Sequence, residues 1–455
     1  MKGSTYNQEK INWIQSVFVE HLGEGFKLHQ GDNNLILSHS DGEVNLTFKG
    51  ENDFFMMTSS NIPCTVWDAT SEQWEDQNLN FLPLPGYEEL TFPLINFDNN
   101  KCFFGFDFPG LVFWMLTRME EINFERQDRH GRFKAVQSHA YLNNYLNRPI
   151  IDEWFYVLRK VIKKFWPKVE LKTHNPIFFL SHDVDDPSRY GFSNILHFFK
   201  RIAGDFKKIH YPVSALSSYI YTKYKGDLHP GDPYNTFSWL MSVSESHNLK
   251  STFYFISSLT KHHLDGRYDI RHKAIERLIK NISNRGHEIG LHPSYESIDK
   301  NYLIHDQNKN LLNLCDEKEV FQTKWSSRMH YLRWRHPDTL NALNSIGIDY
   351  ECSLGYHDRV GFRCGTSHEF QGFDPISSLI LNIRIRPLIV MDATLFNKEY
   401  MNLGQDKASI DIINKLKRRS DLYGGNFSLL WHNSTLCNNK KKNFYLELLL
   451  CLMNK

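Results

Sequence analysis

The stretch FFLSHDVDDP, residues Phe178–Pro187, predicts a strand that ends in a cluster of acid groups. Its apolar first half is typical of a buried strand, and the proline ends the pattern. Asp183, Asp185 and Asp186 follow one another closely, and their like charges repel unless a cation compensates them. A metal site at the end of this strand is one interpretation, and a solvated Asp-rich turn is the other.

The composition is that of an ordinary globular protein with room for more than one domain. The chain has 455 residues, of which 41% are hydrophobic, and this length favours two or three domains. The net charge of +1 gives no electrostatic argument for binding nucleic acid or an anionic membrane. Seven scattered cysteines without a CxxC pair predict reduced thiols rather than disulfides or a zinc-thiolate site.

The start of the sequence bears on localisation. The first residues, MKGSTYN, lack the apolar run of an export signal, and no segment approaches the ~18 apolar residues of a membrane span. We therefore expect a cytoplasmic protein with no membrane span. The oligomeric state is left open by the sequence.

The first part of the chain predicts a small mixed α/β domain. Three segments carry apolar residues at helical spacing and predict helices: 7–22, 110–119 and 150–166. Two alternating segments with Asp41-Gly42 between them predict a hairpin: 34–38 and 44–48. The charged segment 126–132 predicts a solvated loop. The polar stretch 168–176 predicts a boundary that divides the chain into domains 1–170 and 171–455.

The second part alternates helical and strand patterns. The helical segments 239–247 and 272–285 are each followed by a short apolar segment, 251–256 and 287–291. This rhythm favours a parallel sheet or barrel with helices outside. In such folds, chemistry gathers at the carboxyl ends of the strands.

Polar groups recur where these apolar segments end. They are His292 with Glu296 four residues on, Arg335 in the segment RWRHP, Asp392 after a further apolar run, and His432. A single histidine after an apolar run is more often structural than a ligand. Together with the aspartates, however, the set favours a divalent metal with nitrogen and oxygen ligands and a separate acid and base.

The motifs, taken in order, resemble a known family. SHDVDD, STFYF, RGHEIGLHPSY, RWRHP, MDATL and LLWH look like the motif series of polysaccharide deacetylases with a NodB-homology domain. The preceding region, in FDFPGLVFWMLTRMEE and DRHGRF, resembles a domain of undefined function found before such modules. The resemblance implies a distorted (β/α) barrel over 171–455, preceded by a smaller mixed α/β domain over 1–170.

The resemblance also implies roles for individual residues. Asp183 matches the catalytic base that deprotonates the attacking water, and Asp185 and His292 match metal ligands. Arg335 matches the arginine that orients the base. Asp392 matches the acid that tunes the catalytic histidine, and His432 matches that histidine, which protonates the leaving amine.

The sequence departs from the family pattern at one ligand. The family places a second histidine four residues after the first, and here that position is Glu296. A carboxylate can ligate zinc, so Glu296 is the first candidate. The alternatives are a ligand from elsewhere, with His182, Asp186 and His287 nearest, or no metal at all.

Three further residues are candidates for contacting substrate. Tyr295 and Trp431 would stack on a sugar face, although a tryptophan at such a position more often packs in the core. Arg363 would contact an anionic group from the segment 355–365, which predicts a loop over the site.

These features predict a metal-dependent hydrolase, and the resemblance implies that it removes an N-acyl group, most simply acetyl, from a sugar in bacterial surface-polysaccharide metabolism. The cofactor would be a divalent metal, zinc first, with cobalt, nickel or iron as alternatives. One alternative is a non-catalytic carbohydrate-binding or scaffold protein with a decayed metal site. Another is a different C–N hydrolase, acting on a cyclic amide or formamide. The sugar, the acyl group and the role of the first domain are not specified by the sequence.

Overall fold

A computed structural model describes most of the chain. The described residues are 7–32, 34–50, 52–74, 76, 80–98, 101–206, 212–260 and 262–453. Residues 1–6, which entered the expectation on export, lie outside them. None of the helices in the described ranges combines the length and the apolar character needed to cross a lipid bilayer.

The first part of the chain is a small mixed α/β unit. Its helices are α1 (Gln8–Leu22), α2 (Phe108–Leu116), α3 (His139–Leu142) and α4 (Ile150–Phe165). Its strands are β1 (Phe26–Gln30), β2 (Asn34–His39), β3 (Asn45–Lys49), β4 (Cys64–Asp68), β5 (Phe81–Pro85), β6 (Ile95–Asp98) and β7 (Lys101–Phe104). Five strands form a sheet in the order β1-β2-β3-β7-β6, and β4 pairs with β5 separately.

The predicted elements of this part are present, with one shift. The hairpin is confirmed, because β2 and β3 pair antiparallel in register. The predicted helix 110–119 is observed as α2, which begins and ends earlier in the chain. The shift has a local cause, since the Asp107 side chain accepts a hydrogen bond from the Gly110 backbone and caps the helix one turn upstream.

The second part is built on one large sheet with helices between its strands. Its strands are β8 (Phe178–Val184), β9 (Ser251–Phe255), β10 (Glu288–Leu291), β11 (Ser326–Ser327), β12 (Tyr350–Glu351), β13 (Phe370–Asp374), β14 (Leu379–Ile385), β15 (Val390–Met391) and β16 (Phe427–Leu430). Its helices are α5 (Ile195–Phe206), α6 (Pro212–Lys225), α7 (Phe237–Ser246), α8 (Lys273–Asn284), α9 (Asn301–Glu317), α10 (Asp338–Ser345), α11 (Asp392–Phe396), α12 (Lys407–Leu422) and α13 (Asn439–Met453).

The topology of the large sheet brings the strand ends together. The order is β13-β14-β12-β11-β10-β9-β8-β16-β15, and every pairing is parallel except that of β13 with β14. The predicted α/β class, with a smaller mixed unit first, is confirmed. The two outer strands of this order are not paired with each other, so hydrogen bonds do not close the barrel. The carboxyl ends of β8, β10, β11, β15 and β16 therefore share one edge.

The two parts of the chain pack against each other through a continuous apolar core. Trp13 of α1 packs on Phe113 of α2 and on Phe373 of β13. Its indole nitrogen donates to the carbonyl oxygen of Gln371 at 2.8 Å. The predicted boundary near residue 170 falls between α4 and β8, and the independence of the two domains stays a prediction.

Candidate active site

The end of β8 delivers Asp183, the predicted base, into a buried position beside an arginine. Arg328 donates from Nη1 to Asp183 Oδ1 at 2.9 Å, and the same nitrogen reaches Ser181 Oγ at 2.8 Å. The prediction that Arg335 orients the base is wrong in this geometry. Arg335 is 44% exposed and pairs with Asp299 at 2.9 Å, because it lies beyond the turn that follows β11.

Asp185 meets two histidines, His292 after β10 and His330 after β11. Asp185 Oδ1 lies 3.2 Å from His292 Nε2 and 3.4 Å from His330 Nε2. One ligand atom from each of the three residues lies within 4.8 Å of the others. Three donors from three separate loops therefore face one small space.

Hydrogen bonds on the far side of each imidazole fix its orientation. His292 donates from Nδ1 to the carbonyl oxygen of Arg328 at 2.5 Å, and His330 donates from Nδ1 to Asp265 Oδ1 at 2.7 Å. Asp265 is held in turn by the Thr260 hydroxyl at 2.6 Å. Both Nε2 atoms are thereby left to face Asp185, which is the orientation that metal-binding histidines adopt.

Glu296, the predicted third ligand, does not lie with this group. Its carboxylate is 43% exposed and pairs with Lys300 at 3.2 Å, one turn along the same surface segment. The backbone after His292 enters a short 3-10 helix at Tyr295, which turns the glutamate outward. His330 takes the place that spacing had assigned to Glu296.

The other three candidate ligands also have different partners. His182 donates from Nδ1 to the carbonyl oxygen of Trp431 at 2.8 Å. Asp186 pairs with Arg201 at 3.2 Å, and His287 lies 3.4 Å from Glu245. None of the three belongs to the cluster around Asp185.

The charges of the cluster are strongly coupled. Burial acts to raise the pKa of Asp185, but the charge of His330 and hydrogen bonds from His292 and His330 outweigh it and hold the pKa well below its usual range. Burial acts to lower the pKa of His330, but Asp185 and Asp265 raise it to about 9. The local field therefore favours positive charge beside these carboxylates.

His432 and Asp392 form a second pair, and each lies just beyond the carboxyl end of one of the neighbouring strands β16 and β15. His432 donates from Nδ1 to Asp392 Oδ1 at 2.6 Å, and its backbone nitrogen donates to Oδ2 at 3.0 Å. Its Nε2 lies 3.5 Å from Asp185 Oδ2. Burial lowers the pKa of His432, but Asp392, Asp185 and Asp183 raise it to about 10. The imidazole is thus held protonated at neutral pH.

Of the three predicted substrate contacts, one lies near the candidate ligands and two are buried elsewhere. Tyr295 stacks on His262 at 4.2 Å and lies beside Tyr331, near the candidate ligands. Trp431 is fully buried in the core, so the expectation that it stacks on a sugar is wrong. Arg363 is also buried and pairs with Glu121 of the first part at 2.5 Å, which removes it as an anion contact.

The segment 355–365 does not form a loop over the site. The Phe362 backbone nitrogen donates to Leu146 at 2.9 Å, and the Gly365 carbonyl accepts from Ile151 at 2.9 Å. Nearly all of the segment is buried. It packs between the two parts of the chain instead of facing solvent.

The site opens into a cavity of about 290 Å³, which we term the carboxyl-end cavity. Its walls include Asp183, Asp185, His330 and His432 together with Arg132, Tyr331 and Tyr400. The volume lies at the low end of small-molecule pockets. The four groups with catalytic or ligand chemistry therefore converge on a space of the size of a small ligand.

The segment 126–132 is not simply a solvated loop, as the charge pattern had predicted. Arg129 is exposed, but Arg132 is only 4% exposed and reaches the carboxyl-end cavity. It pairs with Asp128 at 2.7 Å and donates from Nη1 to the carbonyl oxygen of Tyr331 at 2.9 Å. The first part of the chain thus contributes a side chain to the wall of the site.

The turn that carries His330 has an unusual backbone. Tyr331 and Leu332 both adopt the left-handed conformation, with φ of 63° and 52°. Each such residue costs ~1–3 kcal/mol and persists only where surrounding contacts fix it, and such strain is often found at functional sites.

The donor set fits a divalent cation. Asp185, His292 and His330 supply one oxygen and two oriented nitrogens, the mixture that zinc, cobalt, nickel and iron accept in proteins. Asp185 is 30% exposed, so an ion can reach the group from the cavity. Asp183 and His432 lie beside this position but do not belong to the ligand cluster.

Sequence reasoning missed His330, Arg328, Asp265 and Arg132. β11 has only two residues, too few for a periodic signal. The segment SSRMH, residues 326–330, which contains this strand and His330, therefore predicted no strand and no site. The available signal for His330 was its position shortly after that strand. Arg132 lay in a charged segment whose partners belong to the other part of the chain.

Comparison with known proteins gives a family for the first part only. Residues 4–167 match the model of a family of unknown function, DUF7033, which agrees with the resemblance noted for this region. No curated protein matches the chain. Among solved structures, it is similar to a protein assigned as a polysaccharide deacetylase from Mycobacterium smegmatis, with 16% identity, 62% of this chain and 86% of that chain covered, and a TM-score of 0.39. It is also similar to Puue allantoinase, with 13% identity, 61% and 84% covered, and a TM-score of 0.36. At these TM-scores, function has to be argued from this chain's own residues.

Proposed function

We propose that the protein is a metal-dependent hydrolase that cleaves the amide bond of an N-acylated sugar. The observation that carries the proposal is the convergence of three units on the carboxyl-end cavity. They are the Asp183–Arg328 pair, the Asp185–His292–His330 cluster and the His432–Asp392 pair. A base, a cation site and an acid are together the groups that metal-assisted hydrolysis of an amide uses.

Asp183 is the general base in this proposal. Its Oδ1 is held by Arg328, which leaves Oδ2, 3.9 Å from His292 Nε2, to accept a proton from a water molecule. A divalent cation held by Asp185, His292 and His330 would polarise the amide carbonyl and the attacking water. Because Arg328, which also bonds Ser181 Oγ, fixes the carboxylate, Asp183 needs no reorientation for this step.

His432 is the general acid. With its Nδ1 proton held by Asp392, the imidazolium presents the proton on Nε2 to the cavity. Transfer of that proton to the departing nitrogen releases an amine that cannot leave as an anion. As the C–N bond breaks, its electron pair stays with the protonated nitrogen and the oxyanion re-forms the carbonyl, so the amine leaves neutral and His432 is left neutral with Nδ1–H still bound to Asp392.

A sugar substrate is supported by the walls of the cavity and by the motif resemblance. Tyr331 and Tyr400 line the cavity, and Tyr295 stands beside Tyr331. Aromatic side chains with hydroxyl groups suit a ring that has both an apolar face and polar edges. The motif order of Sequence analysis points to the N-deacetylation of a sugar, and a place in bacterial surface-polysaccharide metabolism follows from that resemblance alone.

The geometry removes the main argument for a non-catalytic protein with a decayed metal site. That alternative rested on Glu296 in place of a histidine, whereas His330 supplies the second imidazole nitrogen beside Asp185. A different C–N hydrolase would use the same groups, so substrate screening separates it from a sugar N-deacetylase.

The test is release of a carboxylic acid from defined substrates. Purified protein, loaded with Zn²⁺ or Co²⁺, would be assayed for acetate release from N-acetylated mono- and oligosaccharides, and in parallel with cyclic amides and formamides. We expect activity on the sugars that is lost in Asp183→Asn while the metal stays bound, whereas His292→Ala loses both. Turnover of only the cyclic amides would replace the sugar by another substrate class. Absence of metal binding, with Asp183→Asn as active as wild type, would refute the mechanism.

A further inference from the structure

We propose that the first part of the chain completes the active site, and that Arg132 is a positioning residue that holds Tyr331 and, through it, the candidate ligand His330. This inference rests on the proposed function, because it concerns the same cation site. It assigns a role to the segment 128–132 within the family match of residues 4–167, a family of unknown function.

Hydrogen bonds within the segment 128–132 fix its conformation. Asp128 Oδ1 accepts hydrogen bonds from the backbone nitrogens of His130 and Arg132, both at 2.9 Å. Its Oδ2 accepts from Arg132 Nε at 3.0 Å and from Nη2 at 2.7 Å. One carboxylate therefore fixes both the backbone turn and the direction of the guanidinium.

Arg132 also donates hydrogen bonds to two residues that line the carboxyl-end cavity. Nη1 donates to the carbonyl oxygen of Tyr331 at 2.9 Å, and Nη2 donates to the hydroxyl of Tyr400 at 3.0 Å. The guanidinium also lies over both tyrosine rings, at 5.8 and 5.9 Å from their centroids. A single buried charge thus joins Asp128 to two tyrosines of the cavity.

The carbonyl that Arg132 holds belongs to the strained turn. Tyr331, with φ of 63°, follows His330 directly, and Leu332 continues the left-handed conformation. Such a backbone persists only where its surroundings fix it. Loss of the hydrogen bond to Tyr331 would let the turn relax toward ordinary dihedrals, and the imidazole of His330 would move with it.

A second contact fixes the other side of the same turn. Arg333 donates from Nε to the carbonyl oxygen of His130 at 2.7 Å, and His130 Nδ1 lies 2.9 Å from the Tyr295 hydroxyl. Residues 331 and 333 are therefore both anchored to the segment 128–132. Contacts on both sides of one turn distinguish this segment from an ordinary interdomain contact, which would not need to reach both residues.

The experiment compares two arginines of the same segment in the full-length protein. Arg132→Gln removes the bridge, and Arg132→Lys keeps the charge but puts one nitrogen in place of the three that contact Asp128, Tyr331 and Tyr400. Arg129→Gln is the matched control, because Arg129 is exposed and contacts Glu399 and the His130 ring but not the turn at residues 331–332. Zn²⁺ and Co²⁺ affinities would be measured by competition with a chromogenic chelator, the Co²⁺ absorption spectrum would be recorded, and thermal unfolding would check the fold.

We expect Arg132→Gln to weaken metal binding about 10- to 100-fold, the usual effect of losing a group that supports a ligand. Arg132→Lys should lie between Gln and wild type, and Arg129→Gln should stay within about twofold of wild type. The Co²⁺ spectrum should change only in the Arg132 variants. A variant that only loosened the packing of the two parts would lower thermal stability and leave affinity and spectrum unchanged.

Hydrogen exchange in metal-free protein keeps this inference separate from the proposed function. Backbone amides of residues 329–334 should exchange at least about tenfold faster in Arg132→Gln than in Arg129→Gln. If wild type binds no metal, the proposed function fails, and this exchange measurement still decides whether Arg132 holds the turn. Equal exchange and equal affinity in the two variants would overturn the inference. Where Arg132→Gln does not fold, the same comparison is made with Arg132→Lys.

Discussion

The large sheet has a cavity at each end: one is larger, and the other holds the cluster of carboxylates and imidazoles. The cavity at the amino ends of the strands, which we term the amino-end cavity, has a volume of about 920 Å³, against about 290 Å³ at the carboxyl end. It is lined by the starts of β8, β9 and β10 and by side chains that include Phe179, Tyr254, Glu288 and Arg386. By volume alone, it would be chosen as the site.

Two of the charged side chains in the amino-end cavity, Glu288 and Arg386, each pair with one nearby residue of opposite charge. Glu288 pairs with Lys250 at 3.0 Å, and Arg386 pairs with Glu369 at 2.5 Å while it stacks on Phe179 at 3.7 Å. In the carboxyl-end cavity, by contrast, carboxylates and imidazoles converge on one another. The comparison teaches that convergence of titratable groups, rather than volume, identifies the reactive end, as parallel topology leads one to expect.

The largest effect should come from Asp183→Asn, at the reactive end. Loss of a positioned general base typically costs about 10²–10⁴-fold in rate, so kcat should fall by that factor while metal content is retained. Initial rates of acid release and elemental analysis of the same sample measure both quantities. Asp186→Asn is the matched control, since Asp186 pairs with Arg201 outside the cluster, and its rate should stay within about threefold of wild type. Comparable losses in the two variants would remove the special role of Asp183.

The next effect concerns the metal site. His330→Ala removes a donor, so its Zn²⁺ affinity should fall by more than the roughly 10- to 100-fold that loss of a supporting group costs. Glu296→Gln removes only an exposed pair with Lys300 and should leave affinity within about twofold. Chelator competition measures both. Loss of the metal from Glu296→Gln alone would restore the glutamate as a ligand.

A smaller effect is expected in the pH dependence of Asp392→Asn. Burial lowers the pKa of His432, but Asp392 and two further carboxylates raise it to about 10, from a usual value near 6.5. The folded state binds this proton more tightly than the unfolded chain, so the stabilisation is complete below about pH 6.5 and is lost as the pH rises through about 10. Replacing Asp392 should move both this loss of stability and the alkaline fall of kcat/KM to lower pH.

Profiles of kcat/KM and of the Tm against pH, recorded between pH 6 and 10.5, measure the two shifts together. Profiles that superimpose on those of wild type would show that His432 is not the acid that Asp392 keeps protonated.

The smallest effect is expected at the amino-end cavity. Glu288→Gln breaks a half-exposed pair with Lys250, so kcat/KM should change by less than about twofold and stability by ~1 kcal/mol or less. Steady-state kinetics and thermal unfolding check both values. A tenfold loss of activity with an unchanged Tm would mean that the two ends of the sheet are functionally coupled, with Arg328 as the obvious connection, since it lines the amino-end cavity and also holds Asp183.

Sequence alone predicted the residues of the site that directly follow a recognisable apolar run. β8 has seven residues, and the acid groups at its end were recognised because an apolar run leads to them. His432 was recognised in the same way from β16. The observed helix α4, Ile150–Phe165, matches the predicted 150–166 for the same reason, since its apolar face has a clear helical period.

The missed half lies where local patterns are short and partners are distant. Glu296 was chosen by its spacing from His292, but the 3-10 helix that begins at Tyr295 turns it outward, and no sequence rule gives that direction. His330 follows a two-residue strand, and its meeting with Asp185 depends on the neighbouring positions of β8, β9, β10 and β11 in the sheet. The burial of Arg132 depends on packing between two parts of the chain, which periodicity does not encode.

The place of β16 in the sheet has a consequence for the order of events during synthesis. It is the last strand in the sequence, yet it pairs with β8, the first strand of the large sheet, and Trp431 meets His182 across 249 residues. Until the ribosome has released residues 427–430, the backbone N–H and C=O groups on that edge of β8 have no strand to pair with, and pairing of such distant segments is slow. A chain stopped before that point would already contain Asp185, His292 and His330 but not His432. The three proposed metal ligands are therefore synthesised before the proposed general acid.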